Sequence, residues 1–264
     1  MVTKKDCHVI FLIASVVIFF HMSLIWVWYR CTQNPSVVDV GWASGLTTIG
    51  MLYLYSSSIS SVKILFSVVL LIWGFRLGGY LWFTRIRRKL VDKRYTQLSD
   101  TWKIAKPLGF LLNFQFQGLL ILIVSLPWYF ISQIPSDYSL SAIDYVLVFL
   151  ALLSITAETI ADYQLQSFKT HHSGKVCNVG LWFYSRHPNY FFEWLTWCAF
   201  ACFAFPAPQA LLAWVSPLAL LIIMTQITAP ITEKGSIESK GEDYLQYQKI
   251  TPMFFPNIFK RKSN

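Results

Sequence analysis

The stretch VKILFSVVLLIWGFRLGGYLWFT, residues 62–84, decides the fold because it is apolar over almost its whole length. A helix of this length rises about 35 Å, enough to cross the roughly 30 Å of hydrocarbon in a bilayer. Six other apolar stretches are comparable. The sequence therefore predicts an all-α integral membrane fold, a bundle of seven transmembrane helices near residues 9–29, 40–58, 62–84, 108–131, 141–161, 190–206 and 208–230.

The composition supports this prediction. The chain has 264 residues, of which 55% are hydrophobic and 17% aromatic, too apolar for an ordinary water-soluble domain of this length. No internal repeat or low-complexity linker divides it. We therefore expect residues 1–264 to form a single seven-helix domain, and we expect a monomer.

The basic residues of the connecting segments predict the orientation of the helices. Lys and Arg collect in the segment after span three, before span six and in the tail, whereas residues 56–61, 132–139 and 205–209 contain none. Because cytoplasmic loops carry the excess of Lys and Arg, we expect the N-terminus outside and the C-terminus in the cytoplasm. The net charge of +9 follows from this topology. It favours contacts with membrane lipids and predicts no nucleic-acid partner.

The cysteines and histidines predict no metal site. The five cysteines contain no CxxC spacing, and Cys198 and Cys202 lie in an apolar stretch where packing is their expected role. His187 has no second histidine or cysteine at ligand spacing, so we expect it to contact a cofactor or to shape its loop. His171 and His172 belong to a short polar loop.

A few ionisable residues interrupt the apolar spans, where such groups are costly unless paired or hydrated. They are Asp39, Arg76, Glu158, Asp162, Glu193, Glu233 and Lys234. Glu158 and Asp162 are four residues apart and point the same way on a helix. Each residue taken alone is an anchor at the membrane interface or half of an ion pair. Together, and all but Arg76 near the cytoplasmic ends of their spans, they predict a site for a phosphorylated, ribose-bearing ligand such as a dinucleotide or S-adenosylmethionine.

Three segments carry a resemblance to a known family. They are AETIADYQLQSFK at 157–169, GLWFYSRHPNYFFEW at 180–194 and TEKGSIESKGEDYLQYQKITPMFFP at 232–256. Over residues 155–257, and more loosely over 35–90, the chain resembles the steroid 5-alpha-reductase family and in particular its bacterial DUF1295-type branch. The resemblance implies a membrane reductase that binds NADPH on the cytoplasmic side and transfers hydride to the activated carbon–carbon double bond of an enone, in a sterol or another lipid-like substrate.

The resemblance also implies site residues. Asn189, Tyr190 and Glu193 match the family element that lines the cofactor, and Asp162 matches a cofactor-binding aspartate one helix earlier. The cofactor-binding residues expected in this chain are Arg76, Arg85, Arg87, Glu158, Asp162, Lys169, Tyr184, Arg186, His187, Asn189, Tyr190, Glu193, Glu233, Lys234 and Tyr244. Arg85, Arg87, Lys169 and Arg186 would meet the phosphates.

Two departures from the family pattern concern the chemistry. Phe192 replaces a glycine of the motif, and Trp73 stands where steroid-reducing members have a substrate-binding tyrosine. Asp39 and Tyr80 are therefore the expected catalytic residues. Asp39, if protonated, would be the partner of the substrate carbonyl, and Tyr80 would supply a hydroxyl. The alternative for Asp39 is an N-cap that stabilises span two.

Two other functions fit the sequence. The Arg186-His187-Pro188 motif, Tyr190 and the tail segment GEDYLQY (241–247) are similar to isoprenylcysteine and phospholipid methyltransferases, which use S-adenosylmethionine. A lipid-binding scaffold without catalysis is the third possibility. The expected location is a bacterial inner membrane. The terminal KRKSN, residues 260–264, has the lysine spacing of an endoplasmic-reticulum retrieval signal. The endoplasmic-reticulum membrane is therefore the alternative location.

Overall fold

The computed structural model describes residues 4–259, and the elements it forms there are helices. The α-helices are α1 (Lys4–Thr32), α2 (Val37–Leu54), α3 (Ser61–Leu81), α4 (Lys93–Asp100), α5 (Lys106–Val124), α6 (Leu126–Ser132), α7 (Ala142–His171), α8 (Pro188–Phe203), α9 (Val215–Ile222), α10 (Ala229–Lys240) and α11 (Glu242–Ile250). Short 3-10 turns lie at Gly180–Phe183 and Ala210–Trp214, and π-helical turns at Trp82–Ile86 and Ile223–Thr228. The possible retrieval signal at 260–264 lies outside the described residues.

Six helical segments of the described chain are long and apolar enough to cross a membrane, which indicates a multi-pass membrane protein. They are Val9–Thr32, Val37–Leu54, Ser61–Ile86, Lys106–Val124, Ala142–His171 and Ala210–Lys240. The sequence also predicts a span at 190–206, but α8 there has 16 residues. Such a helix is only about 24 Å long, less than the hydrocarbon thickness. The count of seven spans and the orientation of the termini stay predictions.

The chain divides into two compact units. Unit 1 comprises the residues up to Val148 together with Phe200–Ser216, and unit 2 comprises Phe149–Ala199 and the residues from Pro217 onward. In unit 1, helix α2 packs against α1, α3, α5 and α6. The core of unit 1 is aromatic. Phe66 stacks on Phe203 with ring centroids 4.0 Å apart, and Trp128 packs on Phe200 at 4.6 Å.

Two glycines allow α2 and α3 to approach closely. A Cβ atom on Gly74 would lie 2.1 Å from Oγ1 of Thr47, and one on Gly50 would lie 2.6 Å from a methyl carbon of Leu70. Small residues are common where membrane helices pack backbone to backbone. The contact between α2 and α3 therefore depends on positions without side chains.

Unit 2 is built from the part of α7 that begins at Phe149, most of α8 and the helices after Pro217. The indole Nε1 of Trp194 donates to the carbonyl of Pro217 at 3.1 Å, which fixes α8 to the start of the last long helical segment. Gly241 ends α10 with a φ of +57°, a left-handed value that favours glycine. Helix α11 begins directly after this turn and packs against α10.

Candidate functional site

Acidic and amide side chains of α7 and α8 form the part of the site that the sequence predicts best. Glu158 and Asp162 are 4% and 3% exposed, as expected for residues one helical turn apart on an inward face. Asn189, in the first turn of α8, donates its amide Nδ2 to Oδ1 of Asp162 at 3.1 Å. The structure therefore brings together two residues that are 27 positions apart in the sequence.

The other end of the Asn189 amide is an unsatisfied acceptor. Its Oδ1 atom is buried, and none of the described residues donates a hydrogen bond to it. Buried polar atoms in native proteins almost always have a partner, so this atom calls for a donor from a ligand or a water molecule. Glu193 follows one turn later, is buried, and accepts a hydrogen bond from Nε1 of Trp197 at 3.0 Å. We call Glu158, Asp162, Asn189 and Glu193 the acceptor cluster.

Arg186 is occupied by protein groups. Its Nε donates to Oε1 of Glu233 at 2.7 Å and its NH2 donates to Oε2 at 3.1 Å, a bidentate ion pair. Its NH1 donates to the carbonyls of Gln248 at 3.1 Å and Thr251 at 2.6 Å. Because a guanidinium has five N–H groups, these four contacts leave a single donor. The expected contact of Arg186 with a cofactor phosphate stays a prediction, and only that donor is available for it.

Glu233 is the centre of this group. Besides its ion pair with Arg186, Glu233 accepts a hydrogen bond from Nε2 of Gln248 at 2.7 Å. Its Oε1 lies 3.0 Å from Nε2 of His187. His187 is 3% exposed, and its ring stacks on Tyr190 at 5.0 Å between centroids. We call Arg186, His187, Glu233 and Gln248 the Glu233 clamp. Lys234, the next residue after Glu233, is exposed.

The segment after α11 folds back over residues 184–186 through hydrogen bonds made by its own backbone. Ser185 Oγ donates to the carbonyl of Phe254 at 2.9 Å, and the amide of Arg186 donates to the carbonyl of Pro252 at 2.9 Å. The amide of Asn257 donates to the carbonyl of Tyr184 at 2.9 Å. These contacts close the Arg-His-Pro loop from one side.

Two tyrosines of α11 lie beneath this loop. The hydroxyl of Tyr247 donates to the carbonyl of Trp182, and burial raises the pKa of Tyr247. Burial, followed by the nearby charge of Glu233, also raises the pKa of Tyr244. Both phenols therefore stay protonated at neutral pH, so they remain hydrogen-bond donors.

Two lysines supply positive charge in unit 2. Lys169 lies in the last turn of α7 and Lys240 in the last turn of α10. The ammonium of Lys240 lies 5.5 Å from the ring centroid of Tyr244. Ammonium groups at these two helix ends suit an anion such as a phosphate.

In unit 1, Asp39 lies in a network of charges. It forms an ion pair with Arg85, accepts a hydrogen bond from the hydroxyl of Tyr95 at 2.7 Å, and lies 3.6 Å from NH2 of Arg94. Asp92 completes the network, 2.8 Å from NH2 of Arg94 and 3.2 Å from NH1 of Arg85. We call these five residues the Asp39 cluster.

The electrostatics of the Asp39 cluster follow from its contacts. Burial alone would raise the pKa of Asp92, but the hydrogen bonds and charge of Arg94 and the charge of Arg85 outweigh burial and lower that pKa to about 2. Burial and the adjacent Asp39 carboxylate raise the pKa of Tyr95. The interpretation of Asp39 as an N-cap is wrong, because Ser36 is the N-cap of α2 and Asp39 lies within its first turn.

The remaining predicted residues of unit 1 lie along α3 and the turn after it. The guanidinium of Arg76 lies 5.5 Å from the ring centroid of Tyr80, one turn away. Arg87 is exposed and lies 5.8 Å from the ring of Phe83. Trp73 is completely buried.

Sequence reasoning missed Asp92, Arg94, Tyr95 and Gln248. Asp92-Lys93-Arg94-Tyr95 is part of the basic segment after span three, whose charge indicates only the orientation of the helices. One signal could have predicted the helix that positions these residues, because aspartate is a common N-cap. Asp92 is the N-cap of α4, where its side chain accepts a hydrogen bond from the backbone amide of Arg94 at 3.0 Å.

Comparisons with known proteins place the chain in a family. A fission-yeast protein from Schizosaccharomyces pombe, "Uncharacterized protein C594.04c", is 26% identical over 262 residues, covering 86% of this chain and 74% of the relative. No solved structure matches the chain. A family model described as "Protein of unknown function (DUF1295)" matches residues 25–251. Because that match covers most of the chain, the protein belongs to the DUF1295 family, which is steroid 5-alpha-reductase-like.

Proposed function

We propose that this protein is a membrane-embedded reductase that uses NADPH to transfer hydride to an activated carbon–carbon double bond of a sterol or another lipid-like substrate. Its membership of the DUF1295 family supports the proposal. The observation that carries it is the acceptor cluster of α7 and α8, where Asn189 donates to Asp162 and keeps a buried, unsatisfied Oδ1.

The acceptor cluster fits a nucleotide cofactor. The ribose hydroxyls, the carboxamide N–H groups and the adenine amine of NADPH are donors, and buried carboxylates with an amide oxygen are suitable acceptors. Lys169 and Lys240 are two cations of unit 2 that suit the phosphates. Arg186 is less suited, because it donates most of its N–H groups to Glu233 and two carbonyls. Unit 2 thus has both kinds of group that a dinucleotide needs, acceptors for its hydroxyl and amine groups and cations for its phosphates.

The chemistry that NADPH supplies when bound is hydride donation. This chain must add a hydrogen-bond donor for the substrate carbonyl, where negative charge develops, and a route for a proton. In the proposal, Tyr80 is that donor, and the guanidinium of Arg76 over its ring favours the developing negative charge. Asp39, which the sequence predicts as the partner of the substrate carbonyl, serves in this proposal as a positioning residue, because Arg85 and Tyr95 already engage both of its oxygens.

The finer features belong to the same proposal. They are the seven-span topology with a cytoplasmic C-terminus, a monomer, a bacterial inner membrane and contacts of Arg85, Arg87, Tyr184 and Lys234 with the cofactor. None of them is needed for the acceptor cluster to bind a nucleotide.

Ligand-induced stabilisation tests the proposal. The purified protein in neutral detergent is titrated with NADPH, NADH and S-adenosylmethionine, and the melting temperature is followed. We expect NADPH to stabilise the protein, because a ligand that binds only the native state raises its stability. Stabilisation by S-adenosylmethionine alone would favour the methyltransferase, and stabilisation by neither class would favour the scaffold.

A matched pair of variants localises the binding. Asp162→Asn should abolish the stabilisation by NADPH, because it replaces the carboxylate that accepts the hydrogen bond from Asn189. Asp144→Asn is the control. Asp144 is a buried carboxylate on the same helix, but it binds Ser141 and Tyr138 at the start of α7. If the two variants lose the NADPH effect equally, the acceptor cluster is not the binding site.

A further inference from the structure

Lys63 is a buried cation where α2 ends and α3 begins, at the end of α2 away from the Asp39 cluster. It is 2% exposed, and its ammonium donates to Oγ of Ser57 at 2.6 Å and to the carbonyl of Ser58 at 2.8 Å. Helix α2 has 18 residues and is about 27 Å long, with Asp39 in its first turn. Lys63 therefore belongs to neither the acceptor cluster nor the Asp39 cluster.

The charge of Lys63 is uncompensated. Within the part of the chain that the structure describes, no carboxylate lies within ion-pair distance of its ammonium. Its two partners are a hydroxyl and a carbonyl, both neutral, so one of its three N–H groups has no acceptor among them. An isolated charge in a low-dielectric surrounding is costly, and an anion brought next to it removes that cost.

A cavity of about 500 Å³ opens beside the turn that binds this lysine, and Lys63 lies behind its lining. Ser57, which binds the Lys63 ammonium, is also one of the residues that line it. The lining has two chemical parts: Val9, Ile10, Ile13 and Leu52 are apolar, whereas Tyr55, Ser56, Ser57 and Gln133 carry hydroxyl and amide groups. This volume lies within the range of small-molecule sites.

The apolar part of the cavity continues onto the outer surface of α1. Leu12 and Val16 are exposed there, on a helix that is apolar enough to cross the membrane. A hydrocarbon chain from the bilayer can therefore lie along Ile13 without leaving apolar surroundings. The polar part includes residues of the turn between the candidate spans Val37–Leu54 and Ser61–Ile86, and lipid headgroups surround the ends of membrane spans.

We propose that this cavity binds an anionic amphiphile from the bilayer. The anionic head, a carboxylate or a phosphate, lies against Ser57, whose hydroxyl holds the Lys63 ammonium, and compensates the charge of Lys63 across that contact. The hydrocarbon chain lies along Val9, Ile10 and Ile13. The site binds without transferring any group. It is independent of the proposed cofactor site, because the two sites share no residue.

The test uses the full chain in neutral detergent and measures binding with four probes. Oleate carries a carboxylate, lysophosphatidylglycerol a phosphate and monoolein no charge, and inorganic phosphate lacks the hydrocarbon chain. We expect oleate or lysophosphatidylglycerol to bind roughly tenfold or more tightly than monoolein, and inorganic phosphate not to bind. Whichever anionic probe binds more tightly identifies the head. Equal affinity for the charged and uncharged lipids overturns the proposal.

Two variants and a control complete the test. Lys63→Met should remove the preference for the anionic probe and raise the melting temperature of the lipid-free protein, because it deletes an uncompensated buried charge. Ile13→Trp should fill the cavity and weaken all lipid probes. Lys103→Met, at an exposed position of unit 1, should change neither property.

A purely structural lysine behaves differently. If Lys63 served only to tie down the turn at Ser57 and Ser58, Lys63→Met would lower the melting temperature and leave the ratio of lipid affinities unchanged. That pair of results overturns the proposal. Should Lys63→Met not fold, unchanged oleate affinity in Ile13→Trp overturns it instead.

Discussion

The Asp39 cluster of unit 1 and the Glu233 clamp of unit 2 pair their charges in different ways. In the Asp39 cluster, two carboxylates face two guanidinium groups, and each carboxylate touches both of them. In the clamp, one carboxylate serves Arg186, His187 and Gln248. If one carboxylate of the Asp39 cluster is lost, the other still pairs with both arginines. If Glu233 is lost, the clamp has no second carboxylate. Charge is thus shared by two carboxylates in the Asp39 cluster and concentrated on one carboxylate in the Glu233 clamp.

Removal of Glu233 should have the largest effect. Glu233→Ala leaves Arg186 buried without its bidentate partner, and breaking such a pair costs about 3–5 kcal/mol of the free energy of unfolding. Thermal or denaturant unfolding in detergent measures this loss. A loss below about 1 kcal/mol would contradict the view that the Glu233 clamp depends on its one carboxylate.

Removal of Asp39 should cost less. In Asp39→Ala, both Arg85 and Arg94 keep their contact with Asp92, so we expect a loss of about 2 kcal/mol, mainly from the hydrogen bond of Tyr95 and one ion pair. Tyr95→Phe serves as the companion variant and should reproduce part of this loss. If Asp39→Ala and Glu233→Ala proved equally destabilising, the contrast between the two groups would not hold.

Acid should weaken the Asp39 cluster through Asp92. Its pKa falls from an ordinary 3.8 in the unfolded chain to about 2 in the folded protein, so its stabilisation is complete above pH 5 and is lost as the pH falls toward 2. Because a tenfold change in proton affinity corresponds to about 1.4 kcal/mol, this carboxylate contributes about 2 kcal/mol to the free energy of unfolding. Asp92→Asn should flatten the loss of stability between pH 5 and pH 2. Asp100→Asn, at an exposed position, should not flatten it.

The smallest effect is expected at an exposed ion pair. Lys106 and Asp100 lie 2.9 Å apart, but their side chains are 57% and 59% exposed. Solvent screens such pairs, so Lys106→Met should change the free energy of unfolding by less than about 0.5 kcal/mol. A larger change would mean that proximity, and not burial, determines how these ion pairs contribute.

The long helices were predictable because each one is a continuous apolar stretch of the sequence, which can be recognised without knowing what it packs against. The exception is α8, for which the apolar stretch at 190–206 suggested a full span. The helix stops at Phe203, and the residues that follow, up to Pro206, form a turn in spite of their apolar character. Hydropathy does not distinguish an apolar turn from the end of a helix. The short helix α4 was missed for the opposite reason, since its polar sequence gives no signal of a span.

Parts of the candidate site were predictable where the contacts are short in sequence or follow a motif. Glu158 and Asp162 share a helix face by spacing alone, and the resemblance relates Asp162 to Asn189. The pairing of Arg186 with Glu233 spans 47 positions, and no spacing rule connects two residues so far apart in the chain. Lys63 escaped notice because a lysine at the start of a span is an ordinary interfacial residue. Only packing showed that it is buried.

The close approach of α2 and α3 changes how a saturation mutagenesis of this protein would be interpreted. At Gly50 and Gly74 even alanine meets a neighbouring side chain at under 3 Å, so nearly every substitution should lower the amount of folded protein. These positions would score as intolerant as the residues around the Asn189 amide, although neither glycine has a group that can bind a ligand. A fitness map alone would therefore mark two equally sensitive regions, and only a measurement of protein abundance beside activity would tell them apart.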